Sequence, residues 1–279
     1  MFRAMETTGR IAVITGGASG IGRGMARAFA GAGMKLMLAD LDEPMLAATV
    51  EELSAAGTEV ASCRCDVSKL EDVEALATAT LARFGAVHVV CNNAGIGIPT
   101  PTHVIRLEDW RWIIDVDLWG PIYGVKTFLP IMEEQGEGHI NTTASLAGLV
   151  GSPFMSAYNV AKHGAVALMA TLERDLRGRK SPVRASVLCP GPINTDISRH
   201  SVTYRPSKAK PKQNSAAEGR AGANVQAILD QGMDPDEVGR LVLDGMLSNT
   251  FWLLTHPGMS KILTRQLDAL LADGSLTKA

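Results

Sequence analysis

The run Thr15-Gly16-Gly17-Ala18-Ser19-Gly20-Ile21-Gly22 follows a short apolar segment, Ile11–Thr15, and opens a helical pattern whose positions Ile21, Met25, Ala28, Phe29 and Ala32 share one face. Few local patterns constrain a fold so tightly. Glycines at that junction let the chain turn sharply out of a strand, and an anion can then approach the N–H groups and positive end of the helix. Such a strand–turn–helix start predicts an α/β protein that holds a pyrophosphate at the edge of a parallel sheet. Gly16, Ser19, Gly20, Ile21 and Gly22 are therefore candidate dinucleotide contacts. Eighteen residues beyond Gly22, Asp40 closes the second apolar run, where a carboxylate can bind the adenosine ribose hydroxyls. The extra phosphate of NADP would meet that carboxylate at close range and find no cation at Ser19 or Leu41. NAD is expected.

The rest of the chain keeps the rhythm. Lys35–Ala39, Glu59–Cys65, Ala86–Cys91, His139–Thr143, Val183–Cys189 and Phe251–Leu254 read as further strands, with helical patterns at Pro44–Ala56, Lys69–Phe84, Leu107–Gln135 and Pro153–Arg177. Alternation of this kind predicts a parallel sheet covered by helices on both faces. A chain of 279 residues, 46% apolar and 20% charged, has enough apolar content for one large core, so residues 1–279 are expected to form a single domain. The net charge of −2 argues against a nucleic-acid partner. Cys63, Cys65, Cys91 and Cys189 sit in apolar runs without zinc-like spacing, and the histidines form no ligand motif, so no metal site is expected. No apolar run approaches membrane-spanning length and no leader is visible, which predicts a soluble, cytoplasmic protein.

Chemistry enters with Tyr158 and Lys162. A free tyrosine titrates near pH ~10, too high for a base in neutral water. Four residues apart on a helix, the Lys162 ammonium can lie beside the phenol and favour the phenolate. Ser145 lies thirteen residues upstream, at the end of a strand-like run, where its hydroxyl can donate to a substrate oxygen.

Thr15–Gly22, Asn92-Asn93-Ala94-Gly95, Ser145, Tyr158–Lys162 and Pro190-Gly191 together resemble the motifs of the short-chain dehydrogenase/reductase family, in order, from about Arg10 to Asp196, with Asp234–Pro257 similar to its last helix and strand. The resemblance implies a Rossmann-type doubly wound parallel sheet of about seven strands and hydride transfer between NAD and a secondary alcohol or its ketone. Ser145, Tyr158 and Lys162 would be catalytic, and Tyr158 and Lys162 would also face the dinucleotide, Lys162 through the nicotinamide ribose. Asp66 and Val67 would border the adenine, Asn93 and Gly95 would line the cleft, and Ile193 and Thr195 would bind the carboxamide. Where the family has an asparagine serving a proton relay, this chain has Asp117, able to pair with Lys162. Ile96, Leu146, Phe154, Met155 and Pro192 would wall a pocket for an apolar, cyclic or aryl substrate. A homotetramer or homodimer is implied. An NADPH-dependent reductase, a silent dinucleotide-binding protein and a lyase on the same scaffold are the competing readings; Asp40 disfavours the first, and the intact motifs disfavour the others.

One segment breaks the alternation. Residues 196–234 are rich in Lys, Arg, Pro, Ser and Gly, and a connection this long predicts a mobile substrate lid. Six cations lie between Arg199 and Arg220 against one acid, Glu218. Arg199 or Arg205 is a candidate to pair with an anionic group on the substrate.

Overall fold

The computed structural model describes residues 6–205, 224–272 and 274. Seven strands form one parallel sheet in the order β3-β2-β1-β4-β5-β6-β7: β1 Ile11–Thr15, β2 Lys35–Asp40, β3 Val60–Arg64, β4 Val89–Asn92, β5 Gly138–Thr143, β6 Val183–Cys189 and β7 Trp252–Leu254. β1, β5 and β6 are buried along their whole length, as strands covered on both faces must be.

The pleat divides these strands between two cores. Val13, Met37, Val90 and Ile140 point to one face and pack under α3 (Leu70–Phe84), α5 (Gly120–Gln135) and α6 (Ser156–Gly178). Ala12, Ile14, Leu36 and Leu38 point to the other, under α1 (Gly20–Gly31), α2 (Glu43–Ala55) and the helix Pro235–Leu247, here α8. Further helices are α4 (Leu107–Ile114), α7 (Ile197–Tyr204) and α9 (Met259–Ala272), and residues 224–229 are also helical. The doubly wound sheet is thus the one the alternating pattern predicts. Among the described residues, no helix is long and apolar enough to cross a membrane, and no group of three His, Cys, Asp or Glu side chains could hold a metal ion.

Three boundaries differ from the expected ones for physical reasons. β4 starts three residues later than its apolar run, because His88 precedes it and accepts the Ile11 N–H at 3.1 Å through Nδ1. The helical stretch 107–135 is one continuous rod only in outline: between α4 and α5 the turn Asp115–Trp119 widens to π geometry. Within the segment expected as a lid, α7 and residues 224–229 are helical, while residues 206–223 lie outside the described residues.

α1 and α8 approach closely enough that glycine is required on both. A Cβ on Gly24 would lie 2.1 Å from the Pro235 carbonyl oxygen, and one on Gly239 would lie 2.1 Å from the Gly24 carbonyl oxygen. This contact fixes the helix that carries the glycine turn. Gly239→Ala should therefore cost about 1–3 kcal/mol by overpacking, read as a Tm several degrees lower. Gly31→Ala, where a Cβ would meet nothing within 4 Å, should leave Tm unchanged or slightly raised.

Candidate active site

β1 lies between β2 and β4, so the connections leave its two sides in opposite directions and open a crevice at the C-terminal ends of β1 and β4. The glycine turn fills the floor of that crevice. Gly20 has φ +50°, and a Cβ on Gly22 would lie 2.0 Å from the Gly16 carbonyl oxygen, so the turn is as tight as its sequence suggests. Ser19 caps α1 without a side-chain hydrogen bond, and the first turn carries no acid. Its leading N–H groups are therefore not taken up by a capping side chain, which suits a pyrophosphate. Thr195 closes over the turn, its methyl 3.0 Å from where a Gly20 Cβ would be.

Asp40 stands at the end of β2. Its Oδ2 accepts from Ala18 N and its Oδ1 from Asp42 N, both at 3.1 Å. A carboxylate offers about four lone-pair sites, so two remain for ribose hydroxyls. Asp66 Oδ1 accepts from Ser68 N at 3.1 Å and Oγ at 2.6 Å, and Val67 is buried against Gly120. Asn93 also ties strands together. Its Nδ2 donates to the Thr15 carbonyl at 3.0 Å and its Oδ1 accepts from Thr143 Oγ1 at 3.0 Å, so it staples β1 to β5 behind the glycine turn. Ile193 is buried in a bridge with Met233.

The candidate catalytic residues converge one strand further on. Ser145 follows β5 and begins the short turn Leu146–Gly148; its Oγ accepts from Ala147 N at 3.1 Å, and its hydroxyl pulls the Tyr158 pKa down. Tyr158 and Lys162 occupy successive turns of α6, with Nζ 5.5 Å from the phenol ring centroid. Lys162 is buried and donates to the Thr143 carbonyl at 3.0 Å. Its Nζ lies 3.8 Å from Asp117 Oδ1. The π turn carries Asp117 into this position, and the same Oδ1 accepts from Ile96 N at 2.9 Å. A Cβ on Gly95 would sit 3.0 Å from Asp117 Oδ1 and 3.3 Å from Lys162 Nζ, so Gly95 lets the loop pass beside the pair.

Burial dominates the electrostatics. Asp117 is fully buried, and its pKa is pushed up to about 6, with Lys162 and the Ile96 N–H pulling the other way. Its Oδ2 has no hydrogen-bond partner among the described residues. The Tyr158 phenol is also shifted upward, chiefly by burial and further by the Asp117 charge, against the pull of Lys162 and the Ser145 hydrogen bond. Lys162 thus favours the phenolate, as its spacing predicts, but does not outweigh burial.

The expected pocket residues divide. Met155 and Tyr158 both flank Gly97, within 3.6–3.7 Å of where its Cβ would stand. Ile96 and Tyr158 pack against one apolar cluster. Leu146 N donates to the Pro190 carbonyl at 2.9 Å. The Pro192 carbonyl accepts from Met233 N at 3.1 Å, and a Cβ on Gly232 would lie 2.7 Å from the Pro192 carbonyl carbon. Phe154 is 53% exposed, with φ +63°. The idea that Arg205 meets an anionic substrate is overturned. Its guanidinium forks onto buried Asp109 at 2.8 and 2.6 Å, while Arg199 pairs with Asp196 and Asp230. Asp109, Ser201, Tyr204 and Asp42 were not singled out in the sequence, although Asp42 in Asp42-Glu43-Pro44 has the form of a helix cap and does accept from Met45 N.

The Asp117 geometry makes a prediction. Asp117→Asn keeps an acceptor for Ile96 N and removes the charge that raises Tyr158, so most activity should remain and the rise of alcohol oxidation with pH should move to lower pH. Asp117→Leu leaves Ile96 N and Lys162 without that carboxylate and should lose most activity. Because the folded-state pKa is raised, the stabilising effect of this group is present below about pH 4 and lost as pH rises through about 6. The Asn variant should accordingly gain stability relative to the parent between pH 4 and 7, measured by urea unfolding.

The comparisons with known proteins agree with this construction. The family model for short chain dehydrogenases matches residues 10–205. The CLA biosynthesis dehydrogenase/reductase of Lactiplantibacillus plantarum is 30% identical over 271 residues, 95% of this chain and 94% of that protein. The 1-deoxy-11-beta-hydroxypentalenate dehydrogenase of Streptomyces exfoliatus is 33% identical over 267 residues, 95% of this chain and 89% of that one. Among solved structures, a short chain dehydrogenase/reductase from Burkholderia phymatum in complex with NAD superposes with a TM-score of 0.94 at 38% identity, covering 99% of both chains. The chain belongs to the short-chain dehydrogenase/reductase family of oxidoreductases.

Proposed function

We propose that the chain is an NAD-dependent dehydrogenase that interconverts a secondary alcohol, apolar and cyclic or aryl, with its ketone. The observation that carries this reading is the buried Lys162 ammonium set 5.5 Å from the centroid of the Tyr158 ring, with the Ser145 hydroxyl acting on the same phenol. When bound, the nicotinamide supplies the hydride donor or acceptor and, in its oxidised form, a positive ring. The protein's part is proton handling and orientation. In reduction, the Tyr158 hydroxyl gives its proton to the carbonyl oxygen while Ser145 donates a hydrogen bond to the same atom. In oxidation, the phenolate takes the hydroxyl proton back. Lys162 supports the phenolate, and Asp117 takes part in returning the proton toward solvent. Asp66 and Val67 would border the adenine, Asn93 and Gly95 would line the dinucleotide cleft, and Ile193 and Thr195 would hold the carboxamide.

Asp40 supports NAD over NADP. Two like charges 4 Å apart repel by about 1 kcal/mol in water-like surroundings and about 4 kcal/mol near a protein surface, and neither Ser19 nor Leu41 offers a cation. Met155, Ile96 and Leu146 support an apolar substrate. Assembly as a homotetramer or homodimer is supported by Trp119 and Val160, exposed at 45% and 51% on the π turn and α6 that carry Asp117 and Tyr158.

Three measurements test this reading. Tyr158→Phe keeps the ring and removes the proton carrier, so turnover should fall about 10²–10⁴-fold while NADH binding, followed by fluorescence, persists. Near-normal turnover would sink the mechanism. In the parent, the raised phenol pKa means that oxidation should climb with pH above neutrality. Initial rates over a panel of cyclic and aryl secondary alcohols should favour NAD over NADP by at least about tenfold in kcat/KM. Asp40→Ser should narrow that gap; an unchanged gap would place discrimination elsewhere.

A further inference from the structure

The chain leaving β6 is caught at the point where the sheet ends. Cys189 pairs in register with Leu254, so Pro190-Gly191 and Thr255-His256 are the first residues beyond the last matched pair of β6 and β7. Val187 N donates to the Phe251 carbonyl at 2.8 Å. Bonds in a parallel ladder are evenly spaced, so Gly191 N, four residues on, would meet the Thr255 carbonyl if the ladder continued. It donates instead to the Thr255 hydroxyl, at 3.0 Å. A side chain has replaced the backbone acceptor. That hydroxyl is itself directed: Thr255 is buried, and its Oγ1 lies 2.7 Å from His256 Nδ1. One lone pair takes Gly191 N, and the single hydroxyl proton is free for Nδ1. The ring also fills the space beside Gly191, where a Cβ would lie 2.7 Å from Nδ1 and 3.0 Å from Cε1. Only glycine lets the imidazole reach the hydroxyl.

Gly191 belongs to a segment pinned along its length. The Pro190 carbonyl accepts from Leu146 N at 2.9 Å, next to Ser145. The Pro192 carbonyl accepts from Met233 N, and Asn194 N donates to the Met233 carbonyl at 2.9 Å. Thr195 ends on the glycine turn. The hydrogen bonds at Pro190, Pro192 and Asn194 run between backbone groups, which any sequence supplies. The one at Gly191 needs the Thr255 side chain, and the aim of that side chain needs His256.

We propose that Thr255 and His256 are positioning residues for the nicotinamide half of the dinucleotide, setting the segment 190–195 so that Ile193 and Thr195 meet the carboxamide beside Ser145 and Tyr158. The proposal rests on the dinucleotide reading of the crevice. Neither side chain touches the reacting atoms; both act through the Gly191 backbone. β1, β4 and β5 lie between β6 and β2, the strand that ends in Asp40. The adenosine half is therefore indifferent to this pair.

The test compares two ligands that share the adenosine half: NADH, titrated by fluorescence, and ADP-ribose, which lacks the nicotinamide, titrated by calorimetry. Thr255→Val keeps the branched shape and leaves Gly191 N without its acceptor. Kd for NADH should rise about tenfold, while Kd for ADP-ribose stays within about twofold of the parent. Thr255→Ser returns the hydroxyl and should restore NADH binding. His256→Phe keeps a ring beside Gly191 without the acceptor and should weaken NADH about fivefold; His256→Asn, which can present Oδ1 in place of Nδ1, should bind NADH as the parent does. A Thr255→Val protein whose Kd for NADH lies within about twofold of the parent overturns the proposal. Equal weakening of both ligands also overturns it, since that is general loss of structure. If Thr255→Val does not fold, His256→Phe is read by the same criteria. A parent protein that binds neither ligand overturns the dinucleotide reading itself, an outcome distinct from binding both with an unchanged ratio in the variants.

Discussion

The buried ammonium of Lys162 is the constraint from which the rest of the site follows. Several kcal/mol separate such an ion in the interior from the same ion in water, unless hydrogen bonds and a counter-charge offset the difference. The chain meets that demand from three elements. β5 supplies the Thr143 carbonyl, the π turn supplies Asp117, and Gly95 leaves the space between them. Their register sets where the lysine lies, and with it where Tyr158 one turn earlier on α6 is placed. The wide turn at Asp115–Trp119 belongs to this account. An ordinary helical turn places side chains by a 3.6-residue period, and the extra residue in a π turn shifts Asp117 out of that sequence of positions.

Much of this was legible in the sequence, because short-range chemistry leaves short-range patterns. The glycine turn, the strand-end Asp40 and the four-residue interval from Tyr158 to Lys162 are local, and each lies where its pattern predicts. The six crossovers follow from alternation of apolar runs with helical periods. What escaped is of three kinds. The π turn is invisible to periodicity, since Leu107–Gln135 reads as one helical stretch with or without it. Contacts such as Arg205 with Asp109 and Tyr204 with Asp42 join residues 96 and 162 positions apart and have no local signature. Arg205 illustrates the error this invites. In a basic segment it looked available to a substrate anion, whereas the fold brings it a buried carboxylate. α9 was missed although Met259, Ile262, Leu263, Leu267, Leu270 and Leu271 repeat at helical spacing, because the segment follows the last family-like strand.

Asp109 and Asp117 show why burial alone does not set a carboxylate's character. Both are nearly inaccessible, at 2% and 0% exposure, and burial raises the pKa of each. For Asp109 the hydrogen bonds and charges of Arg205 and Arg106 more than reverse that effect, and the net shift is downward. Asp117 has one backbone N–H and an ammonium 3.8 Å away, which are too little, and the net shift is upward. The first acid is a permanent anion that serves as structure. The second changes its charge within the range where an enzyme works.

That difference gives the departure from the family's asparagine a physical meaning. Asp117 and Tyr158 are two acids set around a single cation, and the charge of either opposes ionisation of the other. Asp117 ionises first, near 6, and takes part of the Lys162 field before the phenol can use it. The phenol then loses its proton against a neighbouring negative charge as well as against burial. An asparagine at this position would leave the ammonium to the phenol alone. In the proposed reaction, the aspartate then biases the resting site toward a protonated Tyr158, the form that would donate to a carbonyl oxygen, and would make the oxidative direction the more alkaline of the two.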